Sequence, residues 1–237
     1  MMNTYSTDIL KPISNKLFRI SSDILEKYSS REICSNIVDT YGINVNQGTY
    51  PSECLGVLNS SLDKLPQGLI RDCGITSLDF KDLGPSKEYY PNHGIYHNGT
   101  LTLNFRIIDD PMIISDPING KKFNRFDQIL YHELGHGWDE IKGNGKDLSL
   151  EDDWLSLSGW SETPKKGLKR IRIRERGTPE LVGEYYYSPD AGFTRYYAKR
   201  NPWDDWADSF AYYVAGLKGF LPENKINYFD EKLKSYY

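Results

Sequence analysis

Two histidines and a glutamate within one five-residue segment constrain this chain more than any other feature of its sequence. The segment His132-Glu133-Leu134-Gly135-His136 matches the pattern H-E-x-x-H. Residues four apart lie on one face of an α-helix, so His132 and His136 can offer imidazole nitrogens to one metal ion. Glu133 lies beside them, where its carboxylate can hold a metal-bound water. The segment therefore predicts a catalytic zinc (Zn2+) site on a helix.

The residues around this segment indicate the helix that would carry it. Apolar side chains recur at roughly helical spacing and predict a buried stripe formed by Phe126, Ile129, Leu130, Leu134 and Trp138. Gly135 would allow another backbone to approach closely. The helix could end at Gly137, Gly143 or Gly145. An ordinary amphipathic helix with two surface or core histidines remains the alternative.

The segments before this helix predict a small sheet. Residues 1–44 and 55–69 have helical patterns, and residues 75–80 alternate as a strand does. Residues 94–96 and Thr100–Asn104 read as a hairpin, and residues 106–120 read as a loop. We therefore expect an α+β fold with a mostly antiparallel sheet. Residues 1–50 would form a helical extension packed on a catalytic domain of residues 51–237.

One strand of that hairpin is a candidate for substrate binding. A strand just before the active-site helix can form the sheet edge above the metal, and an extended peptide can add to such an edge by main-chain hydrogen bonds. The predicted edge strand consists of Thr100, Leu101, Thr102, Leu103 and Asn104. A strand that only covers the helix is the alternative.

Composition narrows the classes of function. The 237 residues carry a net charge of −4, which argues against general nucleic-acid binding. Three widely spaced cysteines, Cys34, Cys54 and Cys73, fit free thiols better than a disulfide framework. No conventional signal peptide and no apolar run of membrane-spanning length are present, so we expect synthesis in the cytoplasm, with export by a leaderless route left open. We also expect a monomer.

A catalytic zinc needs a third protein ligand, and a second predicted helix could supply it. Asn201 can cap this helix and Pro202 fits its first turn. Asp204 and Asp208 are four apart, so one can bind zinc while the other orients a histidine. Acidic residues also favour any first helical turn through the helix dipole, which is the structural alternative for Asp204 and Asp205.

A basic stretch at residues 165–176 lies between the two helices. Arginine alternates with isoleucine in Lys169–Arg174, which predicts a strand with one charged face. A charged face of this kind is usually solvated. An exosite for an acidic partner is the functional alternative.

These motifs together resemble one branch of the zincin metallopeptidases, the lethal-factor-like and proline-proline-endopeptidase-like group. The resemblance covers about residues 65–217. It is carried by residues 132–136 and Asp139, by Phe193-Thr194-Arg195-Tyr196-Tyr197-Ala198-Lys199-Arg200-Asn201-Pro202, and by Asp204-Asp205-Trp206-Ala207-Asp208-Ser209-Phe210-Ala211. The group has glutamate where this chain has Asp204 and Asp208.

The resemblance implies a role for each matched residue. Asp204 would be the third zinc ligand, with Asp205 as the alternative because aspartate is one methylene shorter than glutamate. Tyr197 would hydrogen-bond the oxyanion, with Tyr196 as the alternative. Asp208, together with Asp139, would support the metal-binding histidines.

We therefore expect a zinc endopeptidase that acts on a protein or peptide substrate, with Glu133 as general base. An exported effector or toxin and a housekeeping intracellular protease are both compatible with the sequence. The alternative outside enzymes is a degenerate zincin that binds metal or a partner without hydrolysis.

Overall fold

The computed structural model describes residues 30–46, 48, 50–84, 93–143, 145–174 and 181–237. Within these residues it has seven α-helices and nine strands, which confirms the predicted α+β class. The helices are α1 (Ser30–Tyr41), α2 (Glu53–Leu62), α3 (Gln67–Asp72), α4 (Arg125–Lys142), α5 (Asp152–Leu157), α6 (Pro202–Val214) and α7 (Glu223–Lys232). The strands are β1 (Asn44–Val45), β2 (Ser77–Lys81), β3 (Gly94–His97), β4 (Thr100–Asn104), β5 (Ile113–Ser115), β6 (Lys122–Asn124), β7 (Trp160–Ser161), β8 (Lys169–Arg174) and β9 (Leu181–Tyr187).

The largest sheet has the strand order β1-β2-β4-β3. Strand β2 pairs in parallel with both β1 and β4, and only the β3–β4 pair is antiparallel. The expectation of a mostly antiparallel sheet was therefore wrong. Helices α2 and α3 connect β1 to β2, which gives the crossover that parallel neighbours need. Alternation of apolar residues predicts a strand without indicating the direction of its neighbour, so the sequence pattern could not reveal this.

The predicted hairpin is present as β3 and β4. Its turn residues Asn98 and Gly99 have φ of 46° and 75°, as a tight two-residue hairpin turn requires. Strand β4 is paired on both sides, with β2 and with β3, so β3 forms the edge. The prediction that Thr100–Asn104 is the edge strand was therefore wrong, because its second side is occupied by β2.

Helix α4 carries the H-E-x-x-H segment through the centre of the protein. Its first turn is capped by the Asn124 side chain, which accepts a hydrogen bond from the Asp127 N–H at 2.7 Å, and the helix ends at Gly143. The predicted apolar stripe is buried. A Cβ on Gly135 would lie 3.1 Å from the Ala207 Cα, so glycine allows α6 to pack directly against α4.

Two other local predictions differ from the structure. Residues 55–69 form parts of two helices, because the chain leaves the helical conformation after α2 and Pro66 precedes α3. The segment read as a loop after Asn104 contains a short 3-10 helix, Phe105–Asp109, and then β5, which pairs with β6.

A separate three-stranded sheet, in the order β7-β9-β8, lies after α4. Its strand β8 confirms the strand predicted from alternating arginine and isoleucine. Ile171 and Ile173 pack against a small buried cluster around Trp160, and the exposed side chains of Arg170 and Arg172 lie within 4.0 Å of Glu184. This arrangement matches a solvated charged face. Strand β9 was not predicted.

The described part of the N-terminal region belongs to the main core. Ile37 and Tyr41 of α1 are buried with the side chains of α2, α3 and α4, and β1 pairs with β2. Residues 1–29, which make up most of the predicted extension, lie outside the described residues, so the boundary at residue 50 stays a prediction. All three cysteines are free, as expected. None of the helices in the described ranges is long and apolar enough to cross a membrane.

Candidate metal centre

Helices α4 and α6 bring two imidazoles and one carboxylate to a common point. The Nε2 atoms of His132 and His136 are 3.1 Å apart, and they lie 3.7 Å and 3.6 Å from Oδ1 of Asp204. Three ligands at zinc bond lengths in tetrahedral geometry would be separated by about 3.3 Å. The observed triangle is close to that size, so these residues could hold a metal ion.

The start of α6 fixes the orientation of Asp204. The side-chain oxygen of Asn201 accepts the Asp204 N–H at 2.6 Å, and the Asn201 amide donates to Oδ2 of Asp204 at 2.8 Å. Pro202 occupies the first turn, as predicted. Burial by itself raises the pKa of Asp204, but the neighbouring imidazoles of His132 and His136 lower it by more, to well below its ordinary value. The carboxylate is therefore ionised and available as a ligand.

Asp205 points away from the imidazoles. It is fully buried, and its Oδ1 lies 2.6 Å from Nζ of Lys225 while its Oδ2 accepts a hydrogen bond from the Trp160 indole at 3.1 Å. Of the two neighbouring aspartates, Asp204 is the one that faces His132 and His136.

Asp208 contacts His132 from the side opposite the candidate metal position. Its Oδ1 lies 2.7 Å from Nδ1 of His132, and Arg195 donates to both carboxylate oxygens at 2.7 Å and 2.5 Å. Burial raises the pKa of Asp208, but Arg195 and His132 lower it more, to about 2. A carboxylate at Nδ1 keeps the proton there and leaves Nε2 as the ligand atom.

Three neighbouring carboxylates change the protonation of His132. Burial lowers its pKa, but Asp208, Asp204 and Glu133 raise it more, to about 10 when no metal is bound. A metal-binding imidazole has to be neutral at its ligand nitrogen, so metal binding would displace a proton.

Glu133 lies directly under the edge strand β3. Its Oε2 accepts a hydrogen bond from the Tyr96 N–H at 2.8 Å. A Cβ on Gly94 would lie 2.8 Å from both Cγ and Oε1 of Glu133, so the strand can pass this close only because residue 94 is glycine. The carboxylate is thus held by the backbone of β3.

Tyr197 and Tyr196 have very different positions. The ring of Tyr197 lies 5.6 Å from the ring of His132 and is contacted on its π-system by the guanidinium groups of Arg195 and Arg200 at 4.8 Å and 4.6 Å. Burial raises the pKa of Tyr197 well above its ordinary value, so its hydroxyl stays a donor. Tyr196 is 85% exposed, so the structure does not favour it as the alternative.

Asp139 is not placed as expected. Its Oδ1 accepts the Ser149 N–H at 2.7 Å, and among the described contacts it makes no hydrogen bond to either imidazole. Burial raises the pKa of Asp139 to about 7. Its carboxylate supports the segment after α4, so the predicted role in orienting a histidine is not what the structure shows.

Three basic residues of the site were not predicted. Arg195 bonds to Asp208, and Arg125 and His93 line the same cleft as Glu133 and Tyr197. Arg195 lies inside the stretch that carried the resemblance, so its proximity to Tyr197 was a usable signal. Arg125 directly precedes the predicted apolar stripe of α4 and His93 lies just before the predicted hairpin, and neither belongs to a motif that indicates a role in the cleft.

Comparisons with known proteins add little to this geometry. No protein-family model matches the sequence, and no curated protein sequence matches it. One solved structure that matches is the crystal structure of "a putative zinc-binding metallo-peptidase" from Bacteroides caccae ATCC 43185. The match has 15% sequence identity, covers 86% of this chain and 80% of that chain, and has a TM-score of 0.41. A likeness at this level does not establish a family, so the chemistry of the site has to be judged from its own residues.

Proposed function

We propose that this protein is a zinc-dependent endopeptidase of the zincin type. The observation that carries the proposal is the triangle of His132, His136 and Asp204 beside the buried carboxylate of Glu133. Two imidazoles and one carboxylate are a ligand set of catalytic zinc, which keeps one position open. Zinc bound there would supply Lewis acidity and lower the pKa of a coordinated water towards ~7.

The residues of the chain would act around that centre. Glu133 would take the proton of the attacking water as general base and pass it to the leaving amine. The hydroxyl of Tyr197 would donate a hydrogen bond to the oxyanion that develops on the substrate carbonyl. Asp208, held by Arg195, would keep His132 oriented with Nε2 towards the metal.

An extended peptide could bind along the outer edge of β3, on the side away from β4. Ile95 and His97 lie opposite Thr102 and Thr100, while the Tyr96 N–H points to Glu133 and so away from β4. Because hydrogen-bonding directions alternate along an antiparallel strand, Gly94 would also present its main-chain N–H and C=O at the edge. We therefore propose that β3, and not β4, is the strand that binds the substrate.

A metal- or partner-binding protein without hydrolysis was the other candidate. The positions of Glu133 and Tyr197 in one cleft favour hydrolysis, because binding alone needs neither. Membership of the lethal-factor-like group, an effector or toxin role outside the producing cell, and a monomeric state stay predictions from the sequence.

Metal analysis combined with a peptide-library cleavage assay tests the proposal. Wild type should bind one zinc per chain and cleave a subset of peptides. Glu133→Gln should keep the zinc and lower kcat by about 10²- to 10⁴-fold, the usual contribution of a general base. Zinc binding without any cleavage by wild type would favour the binding protein, and equal cleavage by Glu133→Gln would contradict the mechanism.

A tyrosine pair provides a matched comparison in the same assay. Tyr197→Phe should lower kcat by about 10²- to 10³-fold with unchanged zinc content, as loss of an oxyanion donor does elsewhere. Tyr196→Phe is the control, because the neighbouring side chain is exposed and should not affect turnover. Equal kcat for both variants would remove Tyr197 from the proposed role.

A further inference from the structure

Basic side chains line the cleft on the side of β3 and the start of α4. His93, Arg125 and Arg195 share the wall of this open cleft with Glu133 and Tyr197. The proposed mechanism uses Arg195 to hold Asp208. It assigns nothing to Arg125 or His93.

The charge of Arg125 is weakly compensated. Its side chain is only 11% exposed, and in the described part of the chain its nearest carboxylate is Asp110, with 4.0 Å between Nε and Oδ2. Its Nη1 donates to the neutral amide oxygen of Gln128 at 2.5 Å. Arg195, in contrast, is paired with both oxygens of Asp208. A guanidinium cannot lose its proton in this setting, so the weakly compensated charge of Arg125 remains beside the cleft.

His93 contributes a polar atom that has no partner among the described residues. The residue is 9% exposed, and within the described ranges its buried Nδ1 has no hydrogen-bond partner. Burial and the neighbouring Arg125 lower the pKa of His93 to about 4, so the ring is neutral near pH 7 and can donate from one nitrogen. Buried polar atoms are normally satisfied, and His93 lines the cleft, so a ligand atom bound there could become the partner of its Nδ1.

We propose that this part of the cleft binds a carboxylate of the peptide substrate close to the scissile bond, with Arg125 as its main partner and His93 as a second donor. The carboxylate could belong to an acidic side chain or to the substrate's C-terminus. An anion there would compensate Arg125 and relieve its repulsion with Arg195, whereas a basic substrate residue would add a third positive charge. The inference rests on the proposed peptidase function, because it defines a feature of the substrate.

Matched peptides test this preference and identify the source of the carboxylate. One set exchanges glutamate for glutamine at each position around the cleaved bond, and the other exchanges a free C-terminus for an amide. Wild type should prefer the carboxylate in one set by about 10- to 100-fold in kcat/KM, the range for hydrogen bonds to charged groups. Arg125→Met should bring that ratio close to 1, and Arg125→Lys should retain part of it because it keeps the charge.

Arg106→Met is the matched control. Arg106 is 54% exposed and pairs with Asp82, away from the cleft, so its loss should leave the preference unchanged. Circular dichroism and melting temperatures would show that each variant is folded. A wild type that discriminates in neither set, or an Arg125→Met variant with the wild-type ratio, would overturn the proposal.

If wild type cleaves no peptide, the proposed function is refuted. A binding experiment then tests the carboxylate site separately. The His Cε1 resonances of the metal-free protein can be followed by NMR, with the His93 signal assigned from His93→Gln. N-acetyl-glutamate amide carries only the side-chain carboxylate, N-acetyl-glutamine only the terminal one, and N-acetyl-glutamine amide neither. A saturable shift of the His93 signal with one of the two anionic probes, absent with the neutral probe and in Arg125→Met, would support the carboxylate site. Absence of any such shift would refute the site too.

Discussion

The buried Lys225 forms an ion pair with Asp205, which follows the candidate metal ligand Asp204 in the chain. Lys225 is 0% exposed, and its Nζ lies 2.6 Å from Oδ1 of Asp205 and 3.2 Å from Oγ of Ser209. Lys225→Met would leave Asp205 buried without its counter-charge. Breaking a buried pair in this way costs about 3–5 kcal/mol, which for a chain of this size lowers the melting temperature by roughly 6–20 °C.

The same variant should show a distinct pH dependence. Burial raises the pKa of Asp205 from 3.8 to about 6 even though Lys225 and Trp160 oppose the shift, and removing Lys225 would raise it further. When the pKa of a carboxyl group is higher in the folded than in the unfolded protein, the folded protein loses stability as the pH rises through the folded-state pKa. The deficit of Lys225→Met should therefore be larger at pH 8 than at pH 5.

Urea unfolding followed by tryptophan fluorescence at pH 5 and pH 8 measures both effects. Lys81→Met is the control, because the Lys81–Asp79 pair is largely exposed at the lysine and should contribute no more than about 1 kcal/mol. The double variant Asp205→Asn/Lys225→Met leaves no unpaired charge and should cost less than the sum of its single changes. A deficit below about 1 kcal/mol for Lys225→Met, or one of equal size at both pH values, would refute the reasoning.

Two further predictions concern β3 and the residue before it. Gly94→Ala would place a Cβ 2.8 Å from Glu133 and from Ile129, so the Glu133 carboxylate would have to move. We expect kcat to fall by about 10²-fold while the zinc content stays unchanged. A wild-type kcat would show that Glu133 is not positioned by this contact. The pKa of His93 is about 4 when folded, below its ordinary value of 6.5, so the unfolded chain takes up this proton first as the pH falls. The free energy of unfolding should therefore decline as the pH falls from 6.5 to 4. In urea unfolding, His93→Gln should show a smaller decline than wild type. An equal decline in both proteins would contradict this prediction.

Local patterns predicted the two helices that form the site. The apolar spacing around His132 and the capping signal of Asn201 and Pro202 both describe interactions within a few residues of the chain. Helix α4 is followed by Gly143, one of its three predicted ends, and α6 begins after Asn201 as predicted. The hairpin turn at Asn98 and Gly99 was equally local. Predictions that needed only neighbouring residues agree with the structure in these places.

Predictions that depended on packing were less successful. The sheet edge was assigned to β4, because the sequence does not show that β2 pairs with its other side. Asp139 was expected to orient a histidine, although its carboxylate accepts a hydrogen bond from the Ser149 N–H, ten residues further along the chain. In both cases a residue or strand from elsewhere in the chain is the partner: β2 pairs with β4, and the Ser149 N–H binds the Asp139 carboxylate.

Local sequence patterns predicted that two imidazoles share a helix face, with a glutamate next to the first of them, and that a later capped helix begins with acidic residues. The folded structure was needed to show that Asp204 faces the imidazoles while Asp205 is paired with Lys225, and that Arg125 and His93 line the cleft. Helical periodicity sets the angle between neighbouring side chains. The direction in which a helix turns its faces depends on packing against residues far away in the chain, and a local pattern does not contain that information.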